Sequence, residues 1–162
     1  MIAAAGIDAV IAQGWEAGGH RGTFDPAIAD EQLGTFALTR LLSQQLSIPV
    51  IAAGGIMDGA GIAAALKLGA SAAQLGTAFI GCPESLASDD YHATLFSPTA
   101  DRSFVTRNLS GRAARTLPNK LTEIVATATD DQVPAYPIAY DAAKSLIAAA
   151  KANPGQISFS HT

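Results

Sequence analysis

Residues 49–79 read PVIAAGGIMDGAGIAAALKLGASAAQLGTAF. The opening PVIAA is too short for a helix, shows no polar alternation and runs straight into Gly54-Gly55. Continuous apolar character of that kind marks a strand covered on both faces. Asp58 then stands where a helix needs an N-cap, and Ile62, Ala65, Leu66 and Gly69 fall on one face of the helix that follows. Residues 70–81 (ASAAQLGTAFIG) are weaker in β-branched residues but are bounded in the same way, so they read as a second strand. Strand, helix, strand with short connections predicts a right-handed crossover and a parallel sheet.

The same pattern extends towards the N-terminus. Residues 8–14 (DAVIAQG) form another short apolar run ending in glycine, and between it and residues 48–55 (IPVIAAGG) lies a helix with Thr35 as its expected cap. Its apolar face is Leu38, Leu41, Leu42 and Leu46. The order is therefore β-α-β-α-β, in a parallel sheet that is either open or closed into a barrel. After Pro83 the pattern turns helical, with helices expected over 89–96, 118–127 and 141–152, the last stopped by Asn153-Pro154-Gly155. The fold class is α/β, with residues 1–81 as the βαβαβ part and 82–162 mostly helical within one domain.

That domain reads as incomplete. The first residues, MIAAAGIDAVIA, look like the tail of a helix running into a buried strand, and the sequence stops at SFSHT. A parallel sheet of three strands has two apolar edges, which free-standing proteins avoid, and such edges allow a homodimer. Of the 162 residues, 49% are hydrophobic and 15% charged, a balance that excludes disorder. A net charge of -4 leaves no basic field for nucleic acid. No apolar run spans a membrane and no signal peptide is evident, so a cytoplasmic protein is expected. The lone Cys82 reads as a small apolar filler, in keeping with a reducing compartment.

In parallel α/β folds ligands gather at the carboxyl ends of strands. Here those ends are Gly14, Gly54-Gly55 and Gly76, the last followed by Thr77. Any one Gly-Gly is more often a tight turn; two such ends on consecutive strands, with a hydroxyl beside the second, point to a bound phosphate. His20 follows the first strand in AQGWEAGGHRG, residues 12–22, within the long connection from Ala12 to Thr35. Long connections are usually functional, although a lone histidine is more often structural. Glu16 either orients the imidazole or caps the loop. Arg107, Arg112 and Arg115 in VTRNLSGRAAR serve as an anion clamp or, more commonly, as packing stems and surface partners. His92 and His161 are given no role, and no metal-ligand constellation is present.

Three blocks carry a resemblance to a known family: AQGWEAGGHRG, the stretch from Pro49 to Phe79, and VTRNLSGRAAR followed by Asn119. Together they resemble the nitronate monooxygenases, formerly 2-nitropropane dioxygenases, which are FMN-dependent (β/α)8 barrels. The resemblance implies that the three strands are the sixth to eighth of a partial barrel. It implies that Gly54, Gly55, Gly76 and Thr77 hold the FMN phosphate and that Gln13 and Gly14 lie near the flavin. His20 would be the catalytic histidine, taking a proton from a nitroalkane or stabilising the nitronate anion above the flavin ring. The implied reaction converts alkyl nitronates, and nitroalkanes, with O2 to a carbonyl compound and nitrite, the cofactor supplying the redox chemistry.

Ala60 departs from the family, which usually has arginine there. A complete barrel takes roughly 250 residues, so the chain reads as a C-terminal fragment inactive by itself. One alternative is a flavin-dependent enoyl-acyl carrier protein reductase, which shares the barrel, FMN and a Gly-Gly-His loop, but has Glu and Ser where this chain has Gln13 and Ala17. Another is a non-catalytic half-barrel that binds phosphate.

Overall fold

A computed structural model of the chain describes residues 6–129 and 131–152. The helix tail expected at residues 1–5, the stop at residues 153–155 and His161 lie outside them. In chain order the elements are strand β1 (Val10–Gln13), strand β2 (Gly19–His20), helix α1 (Thr35–Gln45), strand β3 (Val50–Ala53), helix α2 (Gly59–Lys67), strand β4 (Ala72–Gln74) and the short helix α3 (Thr77–Ile80). Helix α4 (Asp89–Leu95), a 3-10 turn (Pro98–Arg102), strands β5 (Phe104–Thr106) and β6 (Ala114–Thr116), and helices α5 (Lys120–Val125) and α6 (Ile138–Ala152) follow. The described residues fall into two compact units, one holding residues up to Gly18 with Ile28–Ser85, the other Gly19–Ala27 with the residues from Leu86 onward.

The first unit is the parallel α/β part that the apolar runs predict. Its sheet has the order β1-β3-β4, with Gln13 opposite Ala53 and Ala53 opposite Gln74, all pairs parallel. Burial on both faces holds for the central strand β3, where Val50, Ala52 and Ala53 are all buried. It does not extend to the flanking strands: Ile11 of β1 is 51% exposed and no residue of β4 is buried. The core is built from Ala52, Ile56, Ala65 and Ala70, against which Ile62, Ala73 and Leu75 pack. Small residues at this face let α2 lie close to the sheet.

The two helices differ in how well their caps and faces follow the sequence pattern. Asp58 caps α2 as expected, its carboxylate accepting from the Gly61 N–H at 2.8 Å. Leu66, expected on the apolar face, is exposed. For α1 the cap position belongs to Gly34, and Thr35 is the first helical residue. The buried stripe is Thr35 and Thr39, one turn apart, while Leu41 is 42% exposed. The cause is room: a Cβ on Gly14 would stand 2.0 Å from Thr35 Oγ1, so α1 meets β1 so closely that only a small residue fits at the contact.

The second unit contains a sheet that the apolar pattern does not announce. Strands β5 and β6 pair antiparallel, and β2 adds to the other side of β6, with Gly19 opposite Arg115 and His20 opposite Ala114. Expected to be mostly helical beyond Pro83, this region also turns back on itself at Asn108–Gly111 to form a strand pair. Strands of three residues are shorter than the window in which alternation can be recognised. The three expected helices are present as α4, α5 and α6, the last beginning at Ile138, three residues earlier than expected. Asn119 and Thr122 form a reciprocal capping box at the start of α5. Leu109 and Leu121 are the buried core, covered by Val125, Ala143, Ile147 and Ala150.

Candidate functional site

Because β1, β3 and β4 are adjacent and parallel, the residues that follow them lie at the same end of their sheet. Gly14, Gly54, Gly55, Gly76 and Thr77 are all there, yet the four glycines lack side chains for different reasons. The Cβ positions of Gly14 and Gly54 are filled by the protein: Thr35 Oγ1 stands 2.0 Å from the first and 2.9 Å from the second, with the Ala17 nitrogen 2.8 Å from the second. Gly55 (φ 65) is exposed, and nothing lies within 4 Å of a Cβ placed on Gly76. Gly76 and Thr77 open α3, where backbone N–H groups have no carbonyl of their own helix to bond. Exposed backbone donors without side chains suit a phosphate, so the residues present fit that end of FMN.

Glu16 is a structural clamp in this unit. Its Oε2 accepts from both the backbone N–H and the hydroxyl of Thr35, each at 2.8 Å. The turn it belongs to is held by Trp15 N–H donating to Leu33 carbonyl at 2.8 Å. Of the two roles open to Glu16, orienting an imidazole or capping, these bonds describe the second, with the start of α1 as the group that is capped. Gln13 ends β1 and is half-buried opposite Ala53.

His20 ends β2 in the second unit, where its neighbours come from regions remote in sequence. Its Nε2 is 2.8 Å from Ser110 Oγ. The rings of Tyr136 and Tyr140 meet it edge-on, with centroids 5.6 and 5.5 Å away and interplanar angles of 70° and 88°. The two tyrosines stack on each other at 5.8 Å and 25°, and Lys144 Nζ sits 4.7 Å from the centre of the Tyr140 ring. Burial first, and the nearby Arg112 guanidinium second, lower the His20 pKa below the usual 6.5. Both act against the imidazolium, so the ring is neutral at physiological pH. A neutral imidazole in a partly desolvated aromatic setting is equipped to accept a proton.

The three arginines of VTRNLSGRAAR bond to backbone carbonyls of their own unit. Arg112 Nη2 donates to the Thr23 carbonyl, Arg107 Nη1 reaches the Pro26 carbonyl at 3.5 Å, and Arg115 Nη1 donates to the carbonyl and hydroxyl of Ser103 at 3.3 and 3.2 Å. His92 lies on α4, and Cys82 Sγ donates to the Ala78 carbonyl at 3.4 Å. Ser110, Tyr136 and Tyr140 are the site residues that reading the sequence missed. One of the tyrosines did carry a signal: Tyr140 and Lys144 stand four residues apart, which puts them on one face of α6, whereas Tyr136 precedes that helix.

Among the described residues no helix is long and apolar enough to cross a membrane. The chain spans 42% of the length of the curated nitronate monooxygenase of Paraburkholderia phytofirmans, with 58% identity over 94% of its own residues. With the nitronate monooxygenase of Pseudomonas aeruginosa the identity is 55% over 94% of this chain and 43% of that one. Among solved structures, nitroalkane oxidase from Streptomyces ansochromogenes matches 96% of this chain and 45% of its own with a TM-score of 0.81 and 41% identity. FabK from Thermotoga maritima matches at a TM-score of 0.69 and 34% identity, over 93% of this chain and 43% of that one. The parallel β-α-β-α-β run is accordingly part of a (β/α)8 barrel. A family model described as nitronate monooxygenase matches residues 1–158, and the chain belongs to that family.

Proposed function

We propose that this chain carries the phosphate-binding strand ends and the proton-transfer histidine of an FMN-dependent enzyme that oxidises alkyl nitronates, and nitroalkanes, with O2 to a carbonyl compound and nitrite. The observation that carries the reading is the family match over residues 1–158, which takes in every residue assigned a role. Gly54, Gly55, Gly76 and Thr77 hold the FMN phosphate through backbone N–H groups, and Gln13 and Gly14 lie near the flavin. FMN, when bound, supplies the redox capacity between the nitronate and O2.

His20 is the base in this reading. It takes the proton from the carbon bearing the nitro group, and the C–H electron pair moves into the nitro group to leave the nitronate. Substrates supplied as nitronates have already lost that proton. His20→Asn is therefore expected to slow nitroalkane turnover by about 10²–10⁴-fold while affecting nitronate turnover far less. The experiment is nitronate-dependent O2 uptake by the FMN-loaded enzyme of which these residues form a part, with nitrite measured as product. Reduction of an enoyl thioester by NADH in the absence of nitronate-driven O2 uptake would overturn the assignment, as would equal rates for His20→Asn and the parent on both substrates.

A further inference from the structure

The contacts of Ser110 fix which nitrogen of His20 carries the proton. The Ser110 side chain is buried at 2% exposure on the turn between β5 and β6, held there by the Ser110 and Gly111 N–H groups, which donate to the Arg107 carbonyl at 3.2 and 2.8 Å. Its Oγ makes two close contacts that each need a hydrogen: 3.0 Å to the Arg112 carbonyl and 2.8 Å to His20 Nε2. The hydroxyl has one proton and a carbonyl has none. If that proton went to His20, two oxygens would face each other at 3.0 Å with nothing between them. Both contacts are satisfied only when Ser110 donates to Arg112 and His20 donates to Ser110. The Arg112 N–H, 3.4 Å from the same oxygen, approaches it as a further donor and leaves Oγ as an acceptor on that side.

We propose that Ser110 is a positioning residue that holds His20 as the Nε2–H tautomer, so that Nδ1 is the ring nitrogen bearing the lone pair. Tyr136 and Tyr140 pack edge-on against the ring, and the bond to Ser110 favours the orientation that presents Nε2 to it, since turning the ring over would put Cε1, a carbon, against the hydroxyl. Resting on the functional reading above, Nδ1 is then the atom that takes the proton from the nitroalkane. The tautomer itself depends on neither flavin nor substrate.

Long-range ¹⁵N–¹H spectra of the ¹⁵N-labelled chain at neutral pH read the tautomer directly. The expected result is a pyrrole-type shift at His20 Nε2 and a pyridine-type shift at Nδ1, with the Nε2 proton protected from solvent. Ser110→Ala should speed exchange of that proton roughly 3- to 10-fold, the range set by one neutral hydrogen bond, and Ser110→Thr should restore protection. A proton on Nδ1 in the parent overturns the proposal, and so does an unchanged Nε2 exchange rate in folded Ser110→Ala. Where Ser110→Ala does not fold, the parent spectrum decides alone. Failure of the oxidase assays with the expected spectrum would remove the functional reading and leave the tautomer standing.

Discussion

Gly111 and Gly19 offer a controlled test of what builds the His20 site. Both have positive φ, 79° and 76°, so alanine at either meets the same backbone strain, about 1–2 kcal/mol. Their surroundings differ. Nothing lies within 4 Å of a Cβ on Gly19, whereas on Gly111 it would stand 2.2 Å from the Pro134 carbonyl oxygen, 2.6 Å from the Tyr136 nitrogen and 2.8 Å from the Ala135 carbonyl carbon. These are backbone atoms that cannot rotate away, so the segment leading to Tyr136 has to move. Overpacking of this kind costs about 1–3 kcal/mol, and a rigid neighbour favours the upper half. For a domain of this length each kcal/mol lowers Tm by about 2–4 °C, so Gly111→Ala should melt about 4–12 °C below Gly19→Ala. Thermal unfolding followed by circular dichroism measures the difference. The ring-current shift of the His20 protons should change in Gly111→Ala and stay put in Gly19→Ala, since Tyr136 is displaced only in the former. Melting temperatures within about 2 °C of each other would refute the close approach of residues 134–136 to Gly111.

Two further outcomes follow from the hydrogen bonds and the charge state. The lowered His20 pKa means that the unfolded chain, titrating near 6.5, binds its proton before the folded chain does as pH falls. Stability should therefore drop on acidification through 6.5 and below, with no contribution from this group at higher pH, and His20→Asn should flatten that slope; an NMR titration midpoint above 6.5 for His20 would contradict it. Removing the Thr35 hydroxyl takes away the single proton that the Glu16 carboxylate and the Gly54 carbonyl share, 2.8 and 2.9 Å from Oγ1. Thr35→Val should cost about 1.5–3 kcal/mol in urea unfolding and Thr35→Ser much less, and equal midpoints for the two would show that the hydroxyl contributes nothing.

The parallel part of the fold was legible because its driving force is local. Val10–Gln13, Val50–Ala53 and the Asp58 cap announce themselves within a few residues, since a buried strand has to be apolar and a helix start has to satisfy its N–H groups. The pattern points to Thr35 as a cap, whereas the cap position belongs to Gly34. Threonine before a leucine-rich helix matches the capping pattern, but the group that satisfies this helix start is the Glu16 carboxylate, 19 residues away. The His20 setting was hidden for the same cause on a larger scale: Ser110 is 90 residues from His20, and only the pairing of β2 with β6 brings the two together. Such a contact leaves no spacing to read. Arg112 shows the limit from the other side, because an arginine cluster suggests anion binding until its guanidinium is seen donating to the Thr23 carbonyl.

The sequence pattern groups the glycines at the strand ends as one set, and the structure divides them by what occupies the space of the missing side chain. At Gly14 that space is taken by Thr35, so alanine there must displace helix α1 whether or not any ligand is bound. At Gly76 it is open and φ is -107, within reach of any residue, so alanine there should leave the fold intact and place a methyl group where a phosphate would approach the backbone. The pair separates packing from binding. Gly14→Ala should lower stability by about 1–3 kcal/mol or more in flavin-free protein, while Gly76→Ala should unfold at the parent's midpoint and bind FMN more weakly, by fluorescence titration. An FMN affinity unchanged by Gly76→Ala would take the strand end after β4 out of the phosphate site, and a parent-like midpoint for Gly14→Ala would mean that α1 does not press on β1 as described.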